Sequence, residues 1–309
     1  MARCRHGGPL DGVYLTYSPL KPQYRNALGM RWPLGFPVAA IESINDFTPL
    51  DDDIVVVSYP KSGTTWLQFI VWLLVRQREL GDNETLTDCF PHLEELGAAR
   101  AAAQEKPRLI KTHLQRSWLK CSDRARYIVI ARNPFDCVVS FYHHTRGFPR
   151  HYEFADGRFE AYFDCFLAGE VDFGDYFDHL LSWSPEQCPA QTLFVTYETL
   201  KRDARSTISR LARFLGRGVQ EFVDKDGRLD WVIETSSFDR MRKKQRRWSS
   251  RRPESAPAFI RKGQIGDWRS LMSRAQARAL LAKFDQRLQG SSLAMLWPEE
   301  IEQVREFAR

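Results

Sequence analysis

Tyr59-Pro60-Lys61-Ser62-Gly63-Thr64-Thr65-Trp66 brings a cation, a glycine and three aliphatic hydroxyls into eight residues. Those groups suit one task, holding an oxyanion such as a phosphate. Lys61 supplies a full charge, and Ser62, Thr64 and Thr65 supply donors. The order is not that of the triphosphate loop G-x-x-x-x-G-K-[ST], in which Lys follows the second glycine. Here Lys61 precedes Gly63, Ser58 stands five positions before it, and two threonines follow it. The loop therefore suits a 5′-phosphate that carries something other than a triphosphate.

The elements around the loop have to aim it. Ile54-Val55-Val56-Val57 reads as a buried strand, and the apolar segment 67–75 reads as a helix. A helix start points free N–H groups and a partial positive charge at the loop before it. In all, four short strand-like runs lie at 54–58, 108–110, 127–131 and 192–196. Helical stretches such as 67–77 and 159–168 lie between them, and 207–215 runs into a stop at Gly216. Alternating strands and helices predict an α/β fold, a central parallel sheet flanked by helices. Lys61, Lys111 with His113, Arg132, and Tyr197 each follow one of the four runs. Ligands bind beyond the carboxyl ends of such strands, so four separate segments converge on one edge.

The composition sets limits. A chain of 309 residues builds one large domain or two small ones. The longest apolar run, 69–75, is far short of the roughly 20 residues of a membrane span. Met1-Ala2-Arg3-Cys4 has no apolar core behind it, so no secretory signal is expected. The six cysteines (Cys4, Cys89, Cys121, Cys137, Cys165, Cys188) form no C-x-x-C pair and are expected to stay reduced. The net charge is +6, but residues 240–252 hold eight basic residues and no acid; taking away those eight leaves −2. Basicity this local argues against a nucleic-acid surface spread over the fold.

Three stretches together resemble the cytosolic sulfotransferases: the loop 59–66, the segment Arg132-Asn133-Pro134-Phe135-Asp136 running to His144, and Arg261-Lys262-Gly263-Gln264-Ile265-Gly266-Asp267-Trp268. They come in the family's order over about two thirds of the chain. The resemblance implies a single domain over 1–309 with the P-loop-kinase-like sulfotransferase fold. Residues 1–50 then read as an irregular segment packed on the body, and 240–260 as a basic mobile loop or a lid over the cofactor. The implied donor is PAPS (3′-phosphoadenosine 5′-phosphosulfate), the product PAP, and no metal is expected.

The resemblance also assigns roles. His113, in Lys111-Thr112-His113, matches the catalytic base; alone, a histidine at a strand end reads as a hydrogen-bonding residue. Lys61 would sit at the leaving oxygen and Lys111 at the sulfuryl oxygens, where positioned cations stabilise developing charge. Ser62, Gly63, Thr64 and Thr65 would hold the 5′-phosphate. Arg132 and Ser140 would grip the 3′-phosphate, and can meet if a helix starts near Pro134. Ser140 also matches a residue that holds Lys61 away from the sulfate until an acceptor arrives. Arg261, Lys262 and Gly263 would close on the same phosphate. Trp66 and Phe238 match the adenine-stacking pair and Tyr197 an adenine-edge residue. Met241 and either Thr235 or Ser236 complete a segment like T-S-F-x-x-M.

Two departures are visible. The vertebrate dimer motif K-x-x-x-T-V-x-x-x-E is replaced by Arg269, Ser273, Arg274 and Arg278, so that dimer mode is expected to be absent. Pro134-Phe135 also replaces the residues common after Asn133. Phe36, Phe90, Phe141, Tyr142, Phe148, Tyr152 and Phe154 could wall an acceptor pocket for a small aromatic or apolar alcohol, phenol or amine. Competing readings are a P-loop kinase of a small metabolite and a non-catalytic binding protein. The first lacks the Gly-Lys order, and the second would be favoured by loss of Lys61 or His113. A cytoplasmic enzyme acting on small molecules, without nucleic-acid or membrane partners, is the expectation.

Overall fold

The structure, a computed structural model, describes residues 21–188, 190–249 and 258–309. Four parallel strands make the central sheet: β3 (Ile54–Val57), β4 (Leu109–Thr112), β5 (Arg126–Ala131) and β6 (Thr192–Thr196). Their order is β4-β3-β5-β6, with Val57 beside Thr112 on one side and Val129 on the other. The sequence runs fall on these strands, shifted by a residue or two at their ends.

The sheet is covered on both faces. Val55, Val57, Ile110, Tyr127 and Val129 pack into one core cluster. Ile54, Val56, Leu109, Ile128 and Ile130 pack into another. Alternate residues of each strand face opposite ways, so two-sided burial requires continuous apolar runs. At the amino ends of β3 and β4, Arg108 and Asp53 form a buried ion pair with the guanidinium Nη2 2.5 Å from the carboxylate. It ties the starts of β3 and β4 together. At the start of β5, Arg126 N donates to the backbone carbonyl of Asp53 at 2.9 Å.

Five helices matter for the site: α1 (Thr64–Arg76), α2 (Leu93–Ala102), α3 (Pro134–Gly147), α4 (Tyr197–Arg202) and α5 (Phe238–Arg242). α3 and α4 start within three residues of a strand end, and α1 follows β3 after the six-residue loop 58–63. Pro134 takes the first helical position of α3, and Asn133 caps it by accepting from Asp136 N. The helix 204–215 ends at Gly216, as its sequence predicts.

Two expectations are corrected. Residues 21–50 are not irregular: β1 (Tyr24–Ala27) and β2 (Met30–Pro33) form an antiparallel hairpin, followed by a short helix, Val38–Glu42. Strand pairing satisfies the backbone of a segment whose Trp32 is fully buried. Residues 240–249 are not a loose basic loop. They continue α5 into a 3-10 turn, Gln245–Arg247, anchored by Trp248, which is buried against Phe69 at 4.8 Å between rings. Gln245 exchanges two hydrogen bonds with the backbone of Ile260, and Arg247 donates to the carbonyls of Leu80 and Asp82. Residues 1–20, with Cys4, and 250–257, with Arg251 and Arg252, lie outside the described residues. No helix among the described residues is long and apolar enough to cross a membrane.

Candidate active site

The carboxyl ends of the four strands open into one cleft of about 240 Å³. Lys61 lies beyond β3, Lys111 and His113 at the end of β4, Arg132 beyond β5 and Tyr197 beyond β6, and all five line it. The loop at 59–63 turns through positive φ at Lys61 (69°) and Gly63 (96°) before α1 begins. This is the curled loop and helix start that cradle an anion. A Cβ on Gly63 would lie 2.6 Å from the Tyr197 ring, so only glycine fits beside that aromatic.

His113 is almost fully buried, and a buried network fixes its ring. Nδ1 lies 2.7 Å from the Ser58 carbonyl oxygen. A carbonyl can only accept, so Nδ1 carries the proton and Nε2 keeps its lone pair. Glu94 holds the backbone behind the ring, accepting from His113 N at 2.6 Å and from Thr112 Oγ1 at 2.9 Å. Ser58 Oγ also bonds Thr64 Oγ1 at 2.6 Å, which ties the histidine to the anion loop. Burial first, then the charges of Lys111 and His92, hold the His113 imidazole well below its ordinary pKa. Burial also pulls the Lys111 amine down, against the opposing pull of Glu95 and Glu94. Lys61 Nζ lies 4.3 Å over the Phe259 ring and 3.5 Å from His144 Nδ1.

A second group of cations lies where α3 meets the late motif. Arg132 Nη2 donates to the Gln264 carbonyl at 2.9 Å, and its guanidinium lies 4.5 Å over the Tyr197 ring. Ser140, eight residues on, is half-buried and lines the same cleft. Arg261 and Lys262 both pair with Asp267. Gly263 has φ 61°, and a Cβ there would lie 2.5 Å from the Phe238 ring.

Thr64, Thr65, Trp66, Phe238, Met241 and Gly263 also line the cleft. Ser62 lies fully buried behind the loop. Its Oγ, Trp66 Nε1 and Arg132 Nε are buried without a hydrogen-bond partner. Buried polar groups are rarely left so. Orphaned donors beside an anion loop fit a ligand that carries phosphates and a polar base. Thr235 and Ser236 do not line the cleft. Ser236 Oγ turns back to the Val232 carbonyl, and Thr235 is buried and meets Arg240.

Among the acceptor candidates, Phe36, Phe90, Phe141, Phe148 and Tyr152 line the cleft. Tyr142 and Phe154 do not. The Tyr142 hydroxyl donates to the Gly157 carbonyl at 2.9 Å, and its ring packs on Phe159 and Tyr162. Phe154 is fully buried in that same core. Tyr142 faces away because it lies about 100° past Phe141 on α3, beyond the arc by which Ser140, Phe141 and His144 line the cleft.

Several supports were missed from sequence. Asp136 accepts from Gly266 N at 2.8 Å, Trp268 N at 3.0 Å and Asn133 Nδ2 at 3.0 Å. Glu198 accepts from Asn133 N and Nδ2 and from Trp297 Nε1. Burial pushes the Glu198 carboxyl up, and the Asn133 bonds oppose this. The capping pattern Asn133-Pro134-x-Asp136 is a legible helix start, but nothing local says that Asp136 reaches 130 residues ahead. Glu94 gave no signal either.

A family model described as a sulfotransferase domain matches residues 51–292. Human sulfotransferase 1C2 is 31% identical over 268 residues, covering 81% of this chain and 88% of its own. Human sulfotransferase 2B1 is 31% identical over 311 residues, covering 95% and 82%. A solved structure of mouse sulfotransferase SULT7A1 complexed with PAP superposes with a TM-score of 0.71 at 25% identity, covering 92% of this chain and 98% of that one. The chain belongs to the cytosolic sulfotransferase family. It is a PAPS-dependent sulfotransferase of the family's α/β fold.

Proposed function

We propose that the enzyme moves the sulfuryl group of PAPS to a hydroxyl or amine of a small, mostly apolar or aromatic acceptor, with His113 as general base. The observation that carries the reading is the fixed tautomer of His113, whose Nε2 lone pair belongs to a ring lining the cleft beside the anion loop. When bound, PAPS supplies the sulfuryl group and a phosphate leaving group.

Thr64, Thr65 and the loop amides hold the 5′-phosphate. Arg132, Ser140, Arg261, Lys262 and the Gly263 backbone hold the 3′-phosphate, with Asp267 giving up part of its hold on the two cations. Trp66 and Phe238 flank the adenine, and Tyr197 meets its edge. His113 Nε2 takes the proton of the acceptor as the new bond forms. Lys61 and Lys111 bring positive charge to the oxygens on which negative charge develops, as positioned cations do in phosphoryl transfer. Phe36, Phe90, Phe141 and Phe148 support an apolar acceptor.

Membership of the cytosolic sulfotransferase family supports a cytoplasmic enzyme. Arg269 bonds Gln303 and Arg278 bonds the Ala308 carbonyl within the chain, which supports the absence of the vertebrate dimer contact.

Thermal shift tests the donor site. 3′,5′-ADP at about 100 times its Kd should add about 2.7 kcal/mol of stability and raise Tm by several degrees. Ordinary ADP with Mg²⁺ should raise it far less. A shift with ADP alone would sink the sulfotransfer reading and promote a kinase.

The pH profile tests the base. Because His113 is held below its usual range, it stays unprotonated through neutral pH. With a neutral phenol, kcat/KM is expected to stay level down to about pH 6.5, the ordinary histidine value, and to fall only at lower pH. An acid limb centred above that value contradicts the assignment.

A further inference from the structure

We infer that Asp172 is an anchoring site for a protonated amine on the acceptor, so that the preferred acceptor joins a reacting hydroxyl to an ammonium group. This rests on the sulfotransfer reading above and names the acceptor class for the same cleft.

Asp172 is only 1% exposed, yet it lines the cleft. Its Oδ2 accepts from the Tyr152 hydroxyl at 2.8 Å. Its Oδ1 is buried without a partner. Among the described residues it forms no ion pair. Burial pushes its carboxyl up to about 7, with the Tyr152 bond pulling the other way. The titratable neighbours that feel its charge include the Tyr24 and Tyr152 phenols, both held protonated by burial. Neither supplies a positive charge.

The other acid of this wall is differently placed. Glu95 lies 3.4 Å from His92 Nδ1 and acts on the Lys111 amine. Its charge is thus offset within the protein, while that of Asp172 is not. A buried carboxylate is costly unless paired and hydrogen-bonded. A neutral acceptor can give Oδ1 a hydrogen bond but no counter-charge; an ammonium group gives both.

The backbone supports a built site. Phe173, the next residue, has φ 64°, a left-handed conformation that bulky L-residues rarely adopt. Its ring lies edge-on to His113, 5.2 Å between centroids, and also meets Phe36. Strain of this kind persists where the surroundings demand it, often at ligand clamps. Consecutive residues thus line the cleft with an aromatic ring against the base and an unpaired acid beside it.

The test uses two probes of nearly equal shape, 4-(2-aminoethyl)phenol and 4-ethylphenol. Binding of each is measured by calorimetry at pH 8 with 3′,5′-ADP present, for the wild type and Asp172→Asn, and sulfation of each is followed in parallel. The wild type should bind the amine at least about tenfold more tightly, the usual size of a charge-assisted bond. Asp172→Asn keeps an oxygen for Tyr152 and should bring the ratio close to one. Equal binding by the wild type, or a ratio that survives in the variant, overturns the proposal. If the variant fails to fold, the wild-type ratio decides alone. Sulfation of both phenols without an amine preference rejects the Asp172 site and leaves sulfotransfer standing. An amine preference with neither phenol sulfated does the reverse.

Discussion

Replacing His113 by alanine should lower kcat by about 10²–10⁴-fold, or roughly 3–5 kcal/mol of barrier. The acceptor must lose a proton as its bond to sulfur forms, and in the proposed mechanism Nε2 of His113, on a ring held by the Ser58 carbonyl, is the base for that step. Affinity for 3′,5′-ADP, read by thermal shift, should change little, because the phosphates are assigned to other residues. Alanine also leaves the buried Ser58 carbonyl short of a donor, which by itself costs about 1–3 kcal/mol of stability. His113→Asn separates the two effects. Its amide can still donate to Ser58 but offers no base at the Nε2 position. Activity restored by asparagine would mean that the histidine positions the loop rather than takes the proton. Most activity surviving in the alanine variant would remove it from the mechanism.

Replacing Asp136 by alanine should be the most destabilising single change near the site. The carboxylate holds the backbone N–H groups of Gly266 and Trp268 and the amide of Asn133, and lies 3.7 Å from Arg132. Alanine leaves the backbone donors of Gly266 and Trp268 unsatisfied, takes one of the two acceptors of the Asn133 amide, and frees the strip that carries Arg261, Lys262 and Gly263. Breaking a buried charged network of this kind costs about 3–5 kcal/mol. For a domain of this size Tm should drop on the order of 10 °C. Affinity for 3′,5′-ADP should fall at least about tenfold, since the late motif loses its anchor to α3. A Tm within about 2 °C of the wild type would show that the late motif is held elsewhere.

The sequence alone determined the parts of this protein whose causes are local. A run of β-branched residues at 54–57 has to be a buried strand. Lys61, Gly63 and two threonines before an apolar helix set a cation and hydroxyls at a helix start, an arrangement that suits an anion. Asn133-Pro134 starts a helix by its own chemistry. The three motif stretches then led to the right family and fold. What the tertiary structure decided depends on partners far apart in the chain. Tyr142 looked as good a pocket residue as Phe141, but the helical turn sends it into the core to meet Gly157. Ser236 resembled an adenine contact, but its hydroxyl is used on Val232 of the preceding helix. The hairpin at 24–33 is fixed at both ends by the backbone of Tyr152 and His151, more than a hundred residues on. Glu94 and Asp172 carry no local signature, and the capping pattern at Asp136 does not say what its carboxylate reaches. A carboxylate on a loop or helix reads as a solvated surface group until folding removes its water, and only the residues brought around it then decide what it must hold.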